Sequence, residues 1–321
     1  MLDQKELNEL TVGDEFTFYL IVSKCESKLA KNGRAFLSLE LRDRSASLPA
    51  KIWDNVDSAS RQFKEGTIIK VAGIIEEFNG SPQIKIDKIR VAKDDENVSA
   101  EDFLPKSKRS LEIMKQELND IIKSISNPFL NELINKIFTP ENFEKYIRTP
   151  AGKGWHHAYI HGLLEHTLEI IRICDLMSSI HPEINHDLLI SGAILHDFGK
   201  TEELSYETSF DYTDKGKLIG HIMIGALIVE RTALSIPEFP IDLKEQLIHL
   251  VLSHQGKLEF ASPVEPKTLE AIVLYQADEL SAKTNAYKSA IETDKNKNSR
   301  WTRFLPLANT SLYISDEFTK E

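Results

Sequence analysis

All ten histidines of the 321-residue chain fall between positions 156 and 254, leaving the first 155 residues and the last 67 without one. Histidines placed only by core packing would not crowd in this way. The densest point is "AILHDFGKTEEL", residues 193–204, where His196 and Asp197 end an apolar run and Gly199 and Lys200 follow at once. Burying an imidazole beside a carboxylate is costly unless something compensates them. The remaining histidines supply candidates. In "GLLEHTLEII", His166 shares a helical face with Leu163, Ile170 and Ile173, a pattern that by itself describes a hydrogen-bonded core residue as well as a ligand. "GHIMIG" offers His221 near a helix start, "LSHQGKLEF" offers His254 at a helix end, and "LYQADELSAK" sets Asp278 among Ile272, Leu274 and Ala282. A divalent first-row ion suits this mixture of imidazole and carboxylate; Mn²⁺, Fe²⁺, Co²⁺, Ni²⁺ and Zn²⁺ all fit. The ion would compensate the buried His196–Asp197 pair, and Asp197 could bridge two ions.

These ligands need helices to hold them. From residue 111 onward the texture is helical: "LEIMKQELNDIIKSI", "LLEHTLEIIRICDLMSSI" and "LKEQLIHLVLSH" repeat apolar residues at i, i+3, i+4 and i+7. Gly199 is expected to permit a sharp turn after the His-Asp pair. His157 and His161, four apart, are expected on one helical face. Both read either as contacts to substrate or as surface and supporting histidines, and His249 reads as helix packing. The tail from about residue 292 is polar, with Trp301 as its aromatic anchor.

Residues 12–92 have a different texture. Five segments, "EFTFYLIVSKCESK", "RAFLSLELRD", "LPAKIWD", "TIIKVAGIIEEF" and "PQIKIDKIRV", alternate apolar and polar residues, with turn-formers in "KNGR" and "FNGSP" between them. They predict a small all-β barrel or sandwich. The domain division is therefore 1–92 for a β domain, 93–110 for a polar linker in which "DFLP" could dock locally, and 111–321 for an all-α domain.

Composition bounds the function. The net charge of −11 argues against a protein that coats nucleic acid with positive charge. Residues 1–92, however, balance 14 basic against 14 acidic residues, so the excess lies entirely in the remainder and a local nucleic-acid contact stays open. The two cysteines, Cys25 and Cys174, make neither a disulfide framework nor a thiolate zinc site. "MLDQKELNEL" lacks the basic and apolar regions of a signal peptide, and no apolar run nears the ~18 residues that span a bilayer. A cytoplasmic location without a membrane partner is expected; a homo-oligomer stays open.

The pattern H…HD…H…H…D resembles the HD superfamily of metal-dependent phosphohydrolases. With "HHAYIHGLLEHTLEI", "LLISGAILHDFGKTEEL", "GHIMIGALIV" and "LSHQGKLEFASPVEPKTLEAIVLYQADELSAK", the chain is similar, more closely, to the YhaM-type 3′-5′ exoribonucleases, and "GRAFLSLELRDRSASLPAKIWD" resembles an anticodon-binding type of OB-fold. The resemblance implies an OB-fold followed by an HD domain over nearly the whole chain. It implies His166, His196, Asp197 and Asp278 as the core metal set, His221 and His254 as the added ligands of two-metal members, and Mn²⁺ as the ion. Two positions depart: Gln255 stands where a second histidine is expected, leaving one ion or two open, and His161-Gly162 replaces a glycine pair.

The implied function is metal-dependent 3′-5′ hydrolysis of single-stranded RNA, with single-stranded DNA as a second substrate. A divalent ion activates water and neutralises the phosphoryl oxygens, Asp197 also orients the nucleophile, and Lys200 either holds a substrate phosphate or faces solvent. In the β domain, Phe36 and Trp53 are candidate stacking platforms, and Lys31, Arg34 and Lys51 candidate phosphate contacts, with Phe36 expected rather in the barrel core. Two alternatives stand beside this. One is a nucleotide phosphohydrolase or cyclic-dinucleotide phosphodiesterase, which needs no strand-binding module; "SHQGKLEF" also lacks the Gly-Tyr-Pro of the HD-GYP kind. The other is a non-catalytic single-strand-binding factor, which predicts lost ligands where all six are present.

Overall fold

The structure, a computed structural model, describes residues 4–30, 32–207, 209–294, 299–306 and 308–318. It divides into two compact units, one of residues 1–106 with 206–210 and the other of residues 107–205 with 211–321.

In the first unit, strands β1 (Glu15–Leu29), β2 (Ala35–Arg42), β3 (Ser47–Ile52), β4 (Ile68–Phe78) and β5 (Ser81–Val91) close a barrel in the order β1-β2-β3-β5-β4. Closure removes the free edges that an open sheet would expose. The two-residue period of a strand sets the interior: Phe16, Phe18, Leu20 and Val22 from β1, Leu37, Leu39 and Leu41 from β2, and Ile69, Val71 and Ile75 from β4 are all buried. β1 is long enough to pair with both β2 and β4. Its register with β2 shifts between Val22 and Lys24, where a bulge bends it from one neighbour to the other. Asn79 and Gly80 join β4 to β5 with φ of 52° and 79°, the left-handed pair that a two-residue hairpin turn requires.

One expectation needs correction here. A helix, α1 (Val56–Gln62), stands between β3 and β4, where the sequence pattern predicts only strands. Seven residues with one buried position, Ala59, leave no periodicity to detect. Within the segment 93–110, short turns at Asp94–Glu96 and Ala100–Phe103 dock locally. Glu96 accepts hydrogen bonds from Tyr19 Oη (2.8 Å) and from both Arg90 terminal nitrogens, and Phe103 and Leu104 are fully buried.

The second unit is helical: α2 (Leu111–Ser124), α3 (Pro128–Ile137), α4 (Pro140–Arg148), α5 (Gly162–Ile180), α6 (His186–Leu195), α7 (Lys200–Glu203), α8 (Asp214–Ile219), α9 (His221–Leu234), α10 (Ile241–Ser253) and α11 (Leu269–Asp294). A two-stranded ribbon, β6 (Leu204–Ser205) with β7 (Asp211–Tyr212), follows α7. The helix starts are written locally. Asn127 and Thr139 cap α3 and α4 with a proline at the next position, and Asn185 caps α6. α6 is buried at every position from Leu188 to Leu195, as a helix apolar on all sides must be. It packs against α3, α5, α10 and α11. The interior helix therefore ends at His196, and its C-terminus delivers the His-Asp pair to the middle of the unit.

The stretch 149–161 is a loop. His157 and His161 therefore share no helical face; both adopt positive φ, 42° and 72°. No helix among the described residues is long and apolar enough to cross a membrane.

Candidate metal centre

Asp197 organises the site. Its Oδ2 lies 3.3 Å from His196 Nε2 and 3.9 Å from His166 Nε2, whereas its Oδ1 lies 3.4 Å from His221 Nε2 and 3.5 Å from His254 Nε2. Asp278 Oδ1 adds a second carboxylate, 3.0 Å from His166 Nε2. Five separate helices supply the set. α5 carries His166 and α11 carries Asp278; His196 and Asp197 end α6, His221 opens α9, and His254 caps α10.

Every imidazole is held by Nδ1 and offers Nε2 inward. His196 Nδ1 bonds the Ala193 carbonyl (2.8 Å), His254 Nδ1 the Val251 carbonyl (2.7 Å), His221 Nδ1 the Glu203 carboxylate (2.9 Å) and His166 Nδ1 the Ser281 hydroxyl (3.0 Å), which in turn donates to Glu169 (2.7 Å). This is the arrangement that fixes tautomer and ring direction for metal ligation. On the inner side, Nε2 of His166, His196 and His221 and Oδ1 of Asp197 are buried without a hydrogen-bond partner. Buried polar atoms normally find one. Four converging imidazoles around a two-faced carboxylate, with orphaned inner atoms, fit a divalent cation; His166, His196 and Asp197 form one cluster of ligand atoms and Asp197, His221 and His254 another.

Electrostatics prepare the donors. Burial pushes the His166 imidazole down to about 4, and burial likewise lowers His254, so both are neutral and ligand-ready at neutral pH. Burial alone would raise Asp197, but Lys200 and then His196 outweigh it and hold the carboxyl well below its ordinary range. Burial would also raise Asp278, yet His166 beside it keeps it low. Burial would lower His196, but the Asp197 charge overcomes it and moves the imidazole up.

Lys200 does not face solvent. Its Nζ is buried, 2.6 Å from Asp197 Oδ2 and donating to the Ala151 carbonyl at 2.6 Å. Gly199 is needed for space rather than for a turn torsion. Its φ is −60°, but a Cβ there would meet the His221 carbonyl at 2.0 Å, so only glycine admits the start of α9 beside the His-Asp pair. His157 is buried with Nε2 3.3 Å from Glu169 Oε2, and its ring centroid lies 5.1 Å from that of His166. His161 points elsewhere, with Nδ1 on the Ile147 carbonyl at 2.5 Å. Gln255 Nε2 sits 3.2 Å from His254 Nε2. His249 Nε2 accepts from the Lys267 backbone N–H (2.9 Å), a structural bond at the end of its helix.

Sequence reasoning misses the supporting groups. Ser281 stands three residues after Asp278 and therefore on the same face of α11, and Glu203 stands three residues after Lys200. Those spacings are legible. The loop contact that brings His156 within 4.9 Å of the His166 ring is not.

On the barrel, Phe36 is not in the core. Leu37, Leu39 and Leu41 take the interior, so Phe36 faces outward one residue away and stacks on Trp53, with centroids 4.8 Å apart and planes at 29°. Lys51 Nζ lies 5.9 Å from the Phe36 ring centre and 4.3 Å from that of Phe78, while the Arg34 guanidinium lies 5.6 Å from the Trp53 ring and pairs with Asp54 (2.8 Å). Two cations and three aromatic rings thus share one surface of β2, β3 and the end of β4. Lys31 lies outside the described residues.

Comparison with known proteins agrees with this anatomy. The HD domain family matches residues 163–283, and an OB-fold nucleic acid binding domain of the tRNA anticodon type matches residues 20–92. The 3′-5′ exoribonuclease YhaM of Oceanobacillus iheyensis is 37% identical over 284 residues, covering 88% of this chain and 88% of that protein. Among solved structures, a domain of replication protein A from Methanococcus maripaludis is 23% identical, covering 28% of this chain and 94% of that one with a TM-score of 0.24. The second OB-fold domain of replication protein A from the same organism is 21% identical, with the same coverage and a TM-score of 0.23.

Proposed function

This chain belongs to the YhaM family of 3′-5′ exoribonucleases, and from that membership we propose how its residues divide the work of a metal-dependent 3′-5′ exonuclease on single-stranded RNA. The observation that carries the reading is the two-faced Asp197 carboxylate, with His166 and His196 on one oxygen and His221 and His254 on the other. His166, His196, Asp197 and Asp278 hold one divalent ion; Asp197, His221 and His254 hold a second when it is present. Mn²⁺ fits the mixed nitrogen and oxygen donors. When bound, the ion supplies an activated water and neutralises charge on the phosphoryl oxygens.

The chain's own groups then set geometry. The water oxygen bonds to phosphorus, the bond to O3′ of the preceding nucleotide breaks, and that O3′ leaves as a hydroxyl, releasing a nucleoside 5′-monophosphate. Asp197 orients the attacking water as well as holding the ion. Lys200 is a positioning residue: its buried ammonium fixes Asp197 rather than reaching outward for a phosphate. Ser281 and Glu203 aim His166 and His221. The barrel surface of Arg34, Phe36, Lys51 and Trp53 binds the single strand, bases on the rings and phosphates on the cations. Its exposed aromatics favour a strand over a small nucleotide as substrate, because hydrolysis of a free nucleotide leaves them without a use.

The experiment is digestion of a single-stranded RNA labelled at its 5′ end, with EDTA or Mn²⁺, by the wild-type protein and by Asp197→Ala. A metal-dependent ladder of shortening products that vanishes in the variant is expected. Intact RNA in Mn²⁺ would overturn the reading.

A further inference from the structure

A cavity of about 270 Å³ opens beside the metal centre, and two of the proposed ligands, His254 and Asp278, form part of its wall. Trp155, Phe260 and Tyr275 supply its aromatic walls, and Gln255 and the Glu279–Lys283 ion pair also line it. Trp155 and Phe260 stay 37% and 49% exposed, a large apolar area for rings with no role in packing the core. The fold holds these rings in place. Tyr275 lies flat against Gly256, where any Cβ would meet its ring carbons at 2.2–2.4 Å and φ is +76°. Trp155 is braced edge-on by Tyr287, with centroids 6.4 Å apart and planes at 80°. His156 also lines the cavity, and both of its ring nitrogens are buried without a hydrogen-bond partner. Its ring also packs against that of His166, with centroids 4.9 Å apart, so it borders both the cavity and the metal centre.

We propose that this cavity seats the nucleoside at the 3′ end of the strand, its base stacked on Trp155, Phe260 and Tyr275 and its ribose beside His156. The proposal rests on the exonuclease reading and names what holds the nucleotide that is released with the attacked phosphate. Three features choose this occupant. The cavity is continuous with the ligands that must face the scissile phosphate, so a group attached to that phosphate reaches it. Its volume lies just below the usual range of ligand pockets, roughly 300–1,000 Å³, which suits one nucleoside and excludes a run of them. Aromatic walls accept any base, since every base has a π-face, as an enzyme that shortens a mixed sequence needs.

The test uses the full chain loaded with Mn²⁺. Titration calorimetry compares AMP with ribose 5-phosphate, which keeps the sugar and phosphate but lacks the base. AMP is expected to bind at least roughly tenfold more tightly, in line with stacking of one base. In a Phe260→Ala, Tyr275→Ala double variant, which leaves only Trp155, the preference should shrink severalfold, while Tyr275→Phe, which keeps the ring, should retain it. In parallel, 5′-labelled RNAs ending in a normal or an abasic nucleotide are digested. The wild type should remove the abasic end at least roughly tenfold more slowly, and in the double variant that difference should shrink severalfold. Equal affinity for AMP and ribose 5-phosphate in the wild type overturns the proposal, whatever the RNA assay shows. So does a double variant that keeps the full AMP preference. A wild type that prefers AMP yet releases no nucleotide from any RNA overturns the exonuclease reading and leaves the pocket assignment standing.

Discussion

Lys200 Nζ lies 2.6 Å from Asp197 Oδ2, and both side chains are nearly inaccessible to solvent. Removing one partner of such a pair leaves a buried charge without compensation, which costs about 3–5 kcal/mol. Here a divalent cation can share that burden. Lys200→Met should therefore destabilise the protein strongly in EDTA, by about 3 kcal/mol, and much less in Mn²⁺. Thermal unfolding of both proteins with and without metal measures the difference. An equal loss in the two conditions would mean that Lys200 and the cation do not act on the same carboxylate.

Glu203 and Ser281 reach the ion only through the imidazoles they hold. Groups of this kind typically contribute 10–100-fold to metal affinity. Glu203→Gln, which keeps a hydrogen bond but not the charge on His221, should weaken the second ion more than the first. Ser281→Ala should do the reverse, since it releases His166. Calorimetric titration of the metal-free protein with Mn²⁺ resolves the two. Unchanged isotherms in both variants would remove these residues from the site.

Much of this centre is legible in the amino-acid sequence alone, because each candidate ligand sits at a helix position with its own sequence sign. His221 and His254 mark a start and an end, and Asp278 interrupts an apolar face. The β domain is legible for a similar reason, since two-residue alternation is clear in β1, β2 and β4. What stays hidden depends on contacts distant in sequence. Gly199 reads as a turn residue, but its need for space comes from the carbonyl of His221, 22 residues on. His157 and His161 suggest a helix by their spacing, whereas "TPAGKGW" before them gives the segment to a loop. Phe36 reads as core because aromatics in strands usually are. Only the neighbouring triplet Leu37, Leu39 and Leu41, all buried, decides the face.

The metal-free centre should respond to acid in a defined direction. The His166 imidazole titrates near 4 in the folded protein because burial disfavours its charged form, against about 6.5 in an unfolded chain. The unfolded state therefore binds a proton over this range that the folded state refuses. The contribution of His166 to stability is complete above about pH 6.5 and is lost as pH falls toward 4. Between pH 7 and pH 5 the loss is about 2 kcal/mol. His166→Gln removes it, so in EDTA the wild type should lose about 2 kcal/mol more stability than the variant over that interval. Urea unfolding at the two pH values measures both. Parallel losses would show that His166 is not held neutral by its surroundings.

The barrel surface should act on substrate length rather than on chemistry. Phe36 and Trp53 stack on each other and leave part of each ring open, so a base can extend the stack from the solvent side. Alanine at a base-stacking position costs about 1–3 kcal/mol. Trp53→Ala should raise the KM for a long single-stranded RNA by roughly 5- to 150-fold. It should leave kcat near the wild-type value, because Trp53 belongs to a different unit from the metal centre. For an RNA too short to occupy both the barrel and the metal centre, neither constant should change. Lys51→Ala and Arg34→Ala should weaken long-RNA binding more modestly, and the loss should shrink as salt rises, since their contacts are to phosphate. A Trp53→Ala variant with lowered kcat on the short RNA would mean that the ring supports the fold or the chemistry and does not hold the strand.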